Sequence, residues 1–262
     1  MTGIELGNMT WKEAAAARDR GAVVLLPTGT VEQNGSISPL SADTLVADEV
    51  AKRVAVATGS VVTPAVNFGY SPTFIHYPGT ASLRPDTLRA VIVDILDNLI
   101  ANGFRRLVMV NCHVYNEPIM EQAATEIRKR SGVLLGYFNP ITLAQGISKE
   151  LDPEAGPAFG HGAEPIASMI LSFAPQAVRV EAAQPKPWGT YQGLTAPGLS
   201  KVKVGNAVFG LYFDQEDVTD TGGAGDPTAA DATRGAEIMR RVVEQATAYV
   251  RAFAQLRVPE KK

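Results

Sequence analysis

The chain has 262 residues, 45% hydrophobic and 19% charged, with a formal net charge of -3. That length can bury a substantial core, and the balance excludes a disordered tail, a collagen-like repeat and a strongly basic nucleic-acid binder. Its single cysteine, Cys112, cannot close an internal disulfide, and its three histidines, His76, His113 and His161, make imidazole the scarcest chemical resource in the chain.

Met1 to Thr10 carries Glu5 and no basic apolar run, so no signal peptide is expected. No apolar run approaches the ~20 residues of a membrane span, and the chain is expected to be soluble and cytoplasmic. Ala22 to Leu26 is a buried-strand candidate, ended by Pro27 and Gly29. A helix follows from about Thr44 to Ala57, then a short strand at Val61 and Val62. Pro85 suits the first turn of a helix reaching about Asn102, with Leu88, Ile92, Ile95 and Leu99 at helical spacing. Leu107 to Val110 predicts a strand, Glu117 to Arg130 a helix and Val133 to Phe138 another strand. A helix containing Ser168 to Leu171 and a long closing helix from about Ala229 to Ala254 complete the pattern. Strand and helix alternate throughout, which predicts a three-layer αβα sandwich with a mostly parallel central sheet. Residues 1–262 are read as one domain, with Gln184 to Val204, rich in Pro, Gly and Lys, as a long loop serving as lid, substrate wall or subunit contact, or as a plain surface excursion.

In open α/β sheets, active sites gather at the carboxyl ends of the strands. Glu32 and Asn34 follow the first strand, Asp43 precedes the next helix, and His113 follows Leu107 to Val110. Gly160 to Glu164 brings His161 and Glu164 ahead of another helix. Glu32, Asp43 and His113 would supply two oxygen ligands and one imidazole, a set suited to Zn, Mn or Fe. A metal so held lowers the pKa of a water and polarises a carbonyl. Spacing alone leaves other roles open, since Asp43 could be an N-cap, Glu32 a solvated loop acid and His113 a structural strand-end residue.

Leu26-Pro27-Thr28-Gly29-Thr30-Val31-Glu32-Gln33-Asn34-Gly35, with Pro39-Leu40-Ser41-Ala42-Asp43, resembles the opening motif of the creatininase (creatinine amidohydrolase) family. Tyr77-Pro78-Gly79-Thr80, Asn111-Cys112-His113-Val114-Tyr115-Asn116, His161-Gly162-Ala163-Glu164 and Gly225-Asp226-Pro227 with Gly235 resemble its later motifs, in the same order. The resemblance implies an αβα fold, a cyclic homo-oligomer, often a hexamer, and a divalent-metal hydrolase of carbon–nitrogen bonds in small, often cyclic amides. It places Glu32, Asp43 and His113 on metal-binding positions, His161 on a catalytic histidine and Glu164 on a carboxylate facing the metals.

The departures matter as much. The family's second-metal imidazole is replaced by Asn34, Ile37 stands where a further histidine is usual, and Tyr115 occupies the place of a glutamate ligand. One ion is therefore expected at Glu32, Asp43 and His113. A second, weak or lost, would use Asp43, Asn34 and Glu164. Phe74, His76, Tyr115 and Trp188 are expected to line the substrate pocket, and His161 or Glu164 to move protons. The expected reaction is attack of metal-bound hydroxide on a small, cyclic amide or related ring carbonyl other than creatinine, a non-peptide C–N hydrolysis. Alternatives are an isomerase, lyase or ring-opening enzyme on the same scaffold, and a non-catalytic small-molecule binder. No nucleic acid or membrane partner is expected.

Overall fold

The computed structural model describes residues 4–154 and 156–258. Its centre is a four-stranded, wholly parallel sheet. The strands are β1 (Val24–Thr28), β2 (Val61–Val62), β3 (Arg106–Asn111) and β4 (Leu134–Phe138), in the spatial order β2-β1-β3-β4.

The alternation of side chains along β1 sorts the core into two layers. Leu25 packs with Val46, Val50 and Val54 of α2 (Ala42–Thr58), and with α6 (Ile166–Phe173) and α7 (Ala232–Gln255). Val24 and Leu26 point the other way, onto Leu88, Ile92 and Leu96 of α3 (Pro85–Ala101) and Met120 and Ile127 of α4 (Glu117–Ser131). Helices therefore cover both faces, giving the three-layer αβα sandwich.

Several boundaries differ from expectation. β1 runs on through Pro27, because the Pro27 carbonyl accepts from Val66 N at 3.0 Å and the strand needs no donor there. α2 begins at Ala42, so Asp43 lies inside its first turn rather than capping it. Two helices were not anticipated: α1 (Trp11–Asp19), started by a reciprocal Thr10–Glu13 capping box, and α5 (Pro140–Leu151), capped by the Asn139 side chain. The Gln184 to Val204 stretch is not simply a loop. It holds the hairpin β5 (Thr190–Tyr191)–β6 (Leu194–Thr195) and begins a second, β7 (Lys201–Val204)–β8 (Ala207–Gly210). Among the described residues no helix is long and apolar enough to cross a membrane.

Candidate active site

Register brings the site together. Thr28 and Asn111 are partners at the ends of β1 and β3, so the segments that follow leave the sheet side by side. One carries Glu32 and Asn34, the other His113, and the first turn of α2 delivers Asp43 between them. His113 Nδ1 lies 3.0 Å from Asp43 Oδ2 and 3.4 Å from Glu32 Oε1. All three side chains are buried, and one ligand atom from each falls within 4.8 Å of the others.

The far side of the trio is held in place. His113 Nε2 donates to the Tyr70 carbonyl at 2.9 Å, and Ser71 Oγ donates to Glu32 Oε2. A neutral His113 with its proton on Nε2 turns the Nδ1 lone pair toward the two carboxylates. Two acids and a lone pair converging in a dry place are costly without a cation among them. The donor set thus fits a divalent metal ion.

Without such an ion, a proton takes its place. Burial lowers the His113 pKa, but the Glu32 and Asp43 carboxylates outweigh it and lift the group from 6.5 to about 9. Burial raises Glu32 from 4.5 to about 7, with His113 opposing. Both folded values exceed the unfolded ones, so both stabilising contributions are lost as pH rises. The Glu32 contribution, full below 4.5, goes as pH rises through about 7. That of His113, full below 6.5, goes as pH rises through about 9. In chelator, these two groups are expected to lower the melting temperature as pH rises from about 4.5 to about 9, and saturating Mn or Zn to flatten that fall. Calorimetry showing a flat profile in chelator would contradict the proton-filled trio.

His161 stands beside this cluster, its Nε2 3.9 Å from Glu32 Oε1 and donating to the Gln33 carbonyl at 2.8 Å. Burial lowers its pKa against that hydrogen bond, which keeps the ring neutral and leaves Nδ1 as an acceptor. Phe74 stacks on the ring, with centroids 4.3 Å apart and planes 14° apart. Glu164 accepts from Ser168 Oγ at 2.6 Å through Oε1, while Arg234 Nη2 lies 3.3 Å from Oε2. Burial raises its pKa in spite of both partners.

These groups open onto a cleft of about 570 Å³. Glu32, Asn34, Asp43, His113, His161 and Glu164 all reach it. Tyr115 and Trp188 form part of its wall, with Asn139, Thr142 and Gln145 at the start of α5 on another side. Two expected pocket residues lie elsewhere. Phe74 is fully buried and outside the lining, because its ring is spent on His161. His76 is half-exposed, 3.8 Å from Asp214 and 3.9 Å from Glu216, and is not among the residues that line the cleft. Glu164 also stays out of the ligand trio, with both its oxygens engaged. Among the described residues, the buried Asn34 Nδ2 has no hydrogen-bond partner. Cys112 borders the cleft, but burial raises its thiol pKa well above the ordinary value, which removes it as a nucleophile.

Sequence reading passed over Tyr70, Ser71 and Arg234. The first two sit on an irregular loop without a motif. Arg234 had a visible neighbour, since it directly precedes Gly235 at the start of α7.

Comparison with known proteins gives a consistent result. The sequence model of the creatininase family, described as creatinine amidohydrolase, matches residues 7–250. The chain is 31% identical over 202 residues to the creatinine amidohydrolase of Pseudomonas putida, covering 71% of this chain and 78% of that one. It is 28% identical over 252 residues to the mycofactocin precursor peptide peptidase of Mycobacterium tuberculosis (strain CDC 1551 / Oshkosh), covering 92% and 88%. A solved structure of creatininase with Mn superposes with a TM-score of 0.80 at 25% identity, over 97% of this chain and 99% of that one.

Proposed function

The chain belongs to the creatininase family, and from that membership and the geometry of its cleft we propose that it is a metal-dependent hydrolase of small amides, cyclic ones foremost. The observation that carries this reading is the buried trio of Glu32, Asp43 and His113, with His113 pinned through Nε2 so that Nδ1 faces the acids. A divalent ion held by these residues supplies Lewis acidity to a carbonyl and acidity to a water.

The chain's own groups do the rest. His161, neutral and with Nδ1 free to accept, takes a proton from the attacking water. Glu164 lies in the same cleft, and burial lets it hold a proton nearer neutrality than an exposed acid would. It delivers that proton to the departing nitrogen. Arg234 and Ser168 fix the orientation of its carboxyl group. Tyr115 and Trp188 bound the substrate and exclude water.

The commitment of Glu164 to Ser168 and Arg234, outside the trio, supports a reading of one ion per chain. Creatinine is not the preferred substrate, because an amide, Asn34, stands where the family has an imidazole, and aromatic Tyr115 replaces an acidic ligand.

The test is a chelated protein reloaded with Mn or Zn and offered lactams, N-formyl amides, creatinine and short peptides. Reloading is expected to restore turnover of a lactam or formamide, with a product heavier by one water and one ion per chain by elemental analysis. No turnover with either ion would sink the reading. A product of unchanged mass would replace it with an isomerase, and preference for the peptides would move the substrate class.

A further inference from the structure

The charged groups around the cleft are not balanced in kind. Glu32, Asp43 and His113 form the trio, Glu164 meets Arg234, and the Glu117 carboxylate accepts from Tyr137 Oη and Asn139 Nδ2. The remaining charge is Lys201, the one lysine or arginine among the described lining residues. Among the described residues, no carboxylate lies within ion-pair distance of its ammonium group, which is the only cationic side chain presented to the cleft.

The backbone of Lys201 is anchored, while its side chain is exposed. It opens β7 opposite Gly210 of β8, and its backbone bridges to Gly198. Alternation along the strand turns Val202 into a small apolar cluster with Ala196 and Phe213, which leaves Lys201 on the opposite face. The preceding residue, Ser200, is tied to the site wall by a 3.1 Å hydrogen bond between its Oγ and Tyr115 Oη. An exposed, unpaired ammonium carried on an anchored backbone beside the cleft favours an anionic ligand group.

We propose that Lys201 is a specificity-determining residue that receives a carboxylate of the substrate, so that the preferred amides carry a second, anionic group. This rests on the amide-hydrolase reading above and narrows its substrate class. Tyr115 and Trp188 line the same cleft as Lys201.

The experiment compares ring lactams with and without a carboxylate substituent, and a dipeptide as a second carboxylate source, on the Mn-loaded protein. For Lys201→Met, the ratio of kcat/KM for the carboxylate-bearing over the plain lactam is expected to fall at least about tenfold, the scale of one charge-assisted contact. Lys201→Arg is expected to keep most of that ratio. A ratio unchanged within about twofold in Lys201→Met would overturn the proposal. The dipeptide arm decides whether the carboxylate belongs to a small lactam or to a peptide end. If the wild-type protein hydrolyses no amide, the hydrolase reading fails on its own. Lys201 is then judged by titrating glutarate and acetate into the Mn-loaded proteins. A loss of glutarate affinity relative to acetate in Lys201→Met supports the anion role, and equal losses remove it.

Discussion

Replacing His113 by Ala, or Asp43 by Asn, is expected to remove the bound divalent ion and lower hydrolysis at least about 1,000-fold, equivalent to about 4 kcal/mol of transition-state stabilisation. The size of the effect follows from how few donors the site has. Among the described residues that line the cleft, Glu32, Asp43 and His113 are the whole converging set, and Glu164 is too engaged to compensate. Asp43→Asn changes charge with little change in shape, so a folded protein that no longer retains Mn on gel filtration would locate the loss at the site. His113→Ala additionally orphans the Tyr70 carbonyl and leaves two buried acids without their imidazole. A fully ion-loaded, fully active Asp43→Asn protein would refute the assignment of the trio.

Gly162→Ala is expected to be nearly as damaging, by a different route. Gly162 has φ +73°, and a Cβ there would lie 2.3 Å from Gly35 N and 2.4 Å from Asn34 C and O. The neighbouring atoms are backbone and cannot swing aside. The left-handed conformation costs an alanine about 1–2 kcal/mol and the overlap a further 1–3 kcal/mol, so about 3 kcal/mol in all. Melting would then fall by about 6–12 °C, at 2–4 °C per kcal/mol for a chain of this size. The strain falls between the segment carrying His161 and Glu164 and the segment carrying Glu32 and Asn34. Ion affinity measured by competition with a chromophoric chelator should weaken along with the melting temperature. Unchanged melting would mean that the two segments can part without cost.

Much of the architecture could be read from apolar runs. β1 and β3 announce themselves as AVVLL and LVMV, because strands covered on both faces need apolar side chains at every position. Helix α1 escaped that logic, since its only buried residue is Ala17, although the Thr10–Glu13 capping box was in plain view. The β7–β8 hairpin was missed because its Gly205-Asn206 turn falls just beyond the stretch taken as a loop. The convergence of Glu32, Asp43 and His113 was legible because strand ends meet by topology. Phe74 and His76 were misplaced because they share a short irregular segment, where no periodicity says which side chain turns inward. Phe74 faces the fold and His76 faces solvent, only two residues apart.

The β7–β8 hairpin has its own small centre in Ala196, Val202 and Phe213, with Tyr191 stacked on Phe213 at 5.1 Å, separate from the two clusters that pack the sheet. A wall with its own apolar centre, joined to the cleft through the Ser200–Tyr115 hydrogen bond, can change its lining side chains while the acids and imidazole of the trio stay as they are. Grafting the segment from a relative with a different diet should therefore retarget the cleft while leaving the reaction chemistry intact. Divergence in such a lineage can proceed by trading walls over a fixed floor.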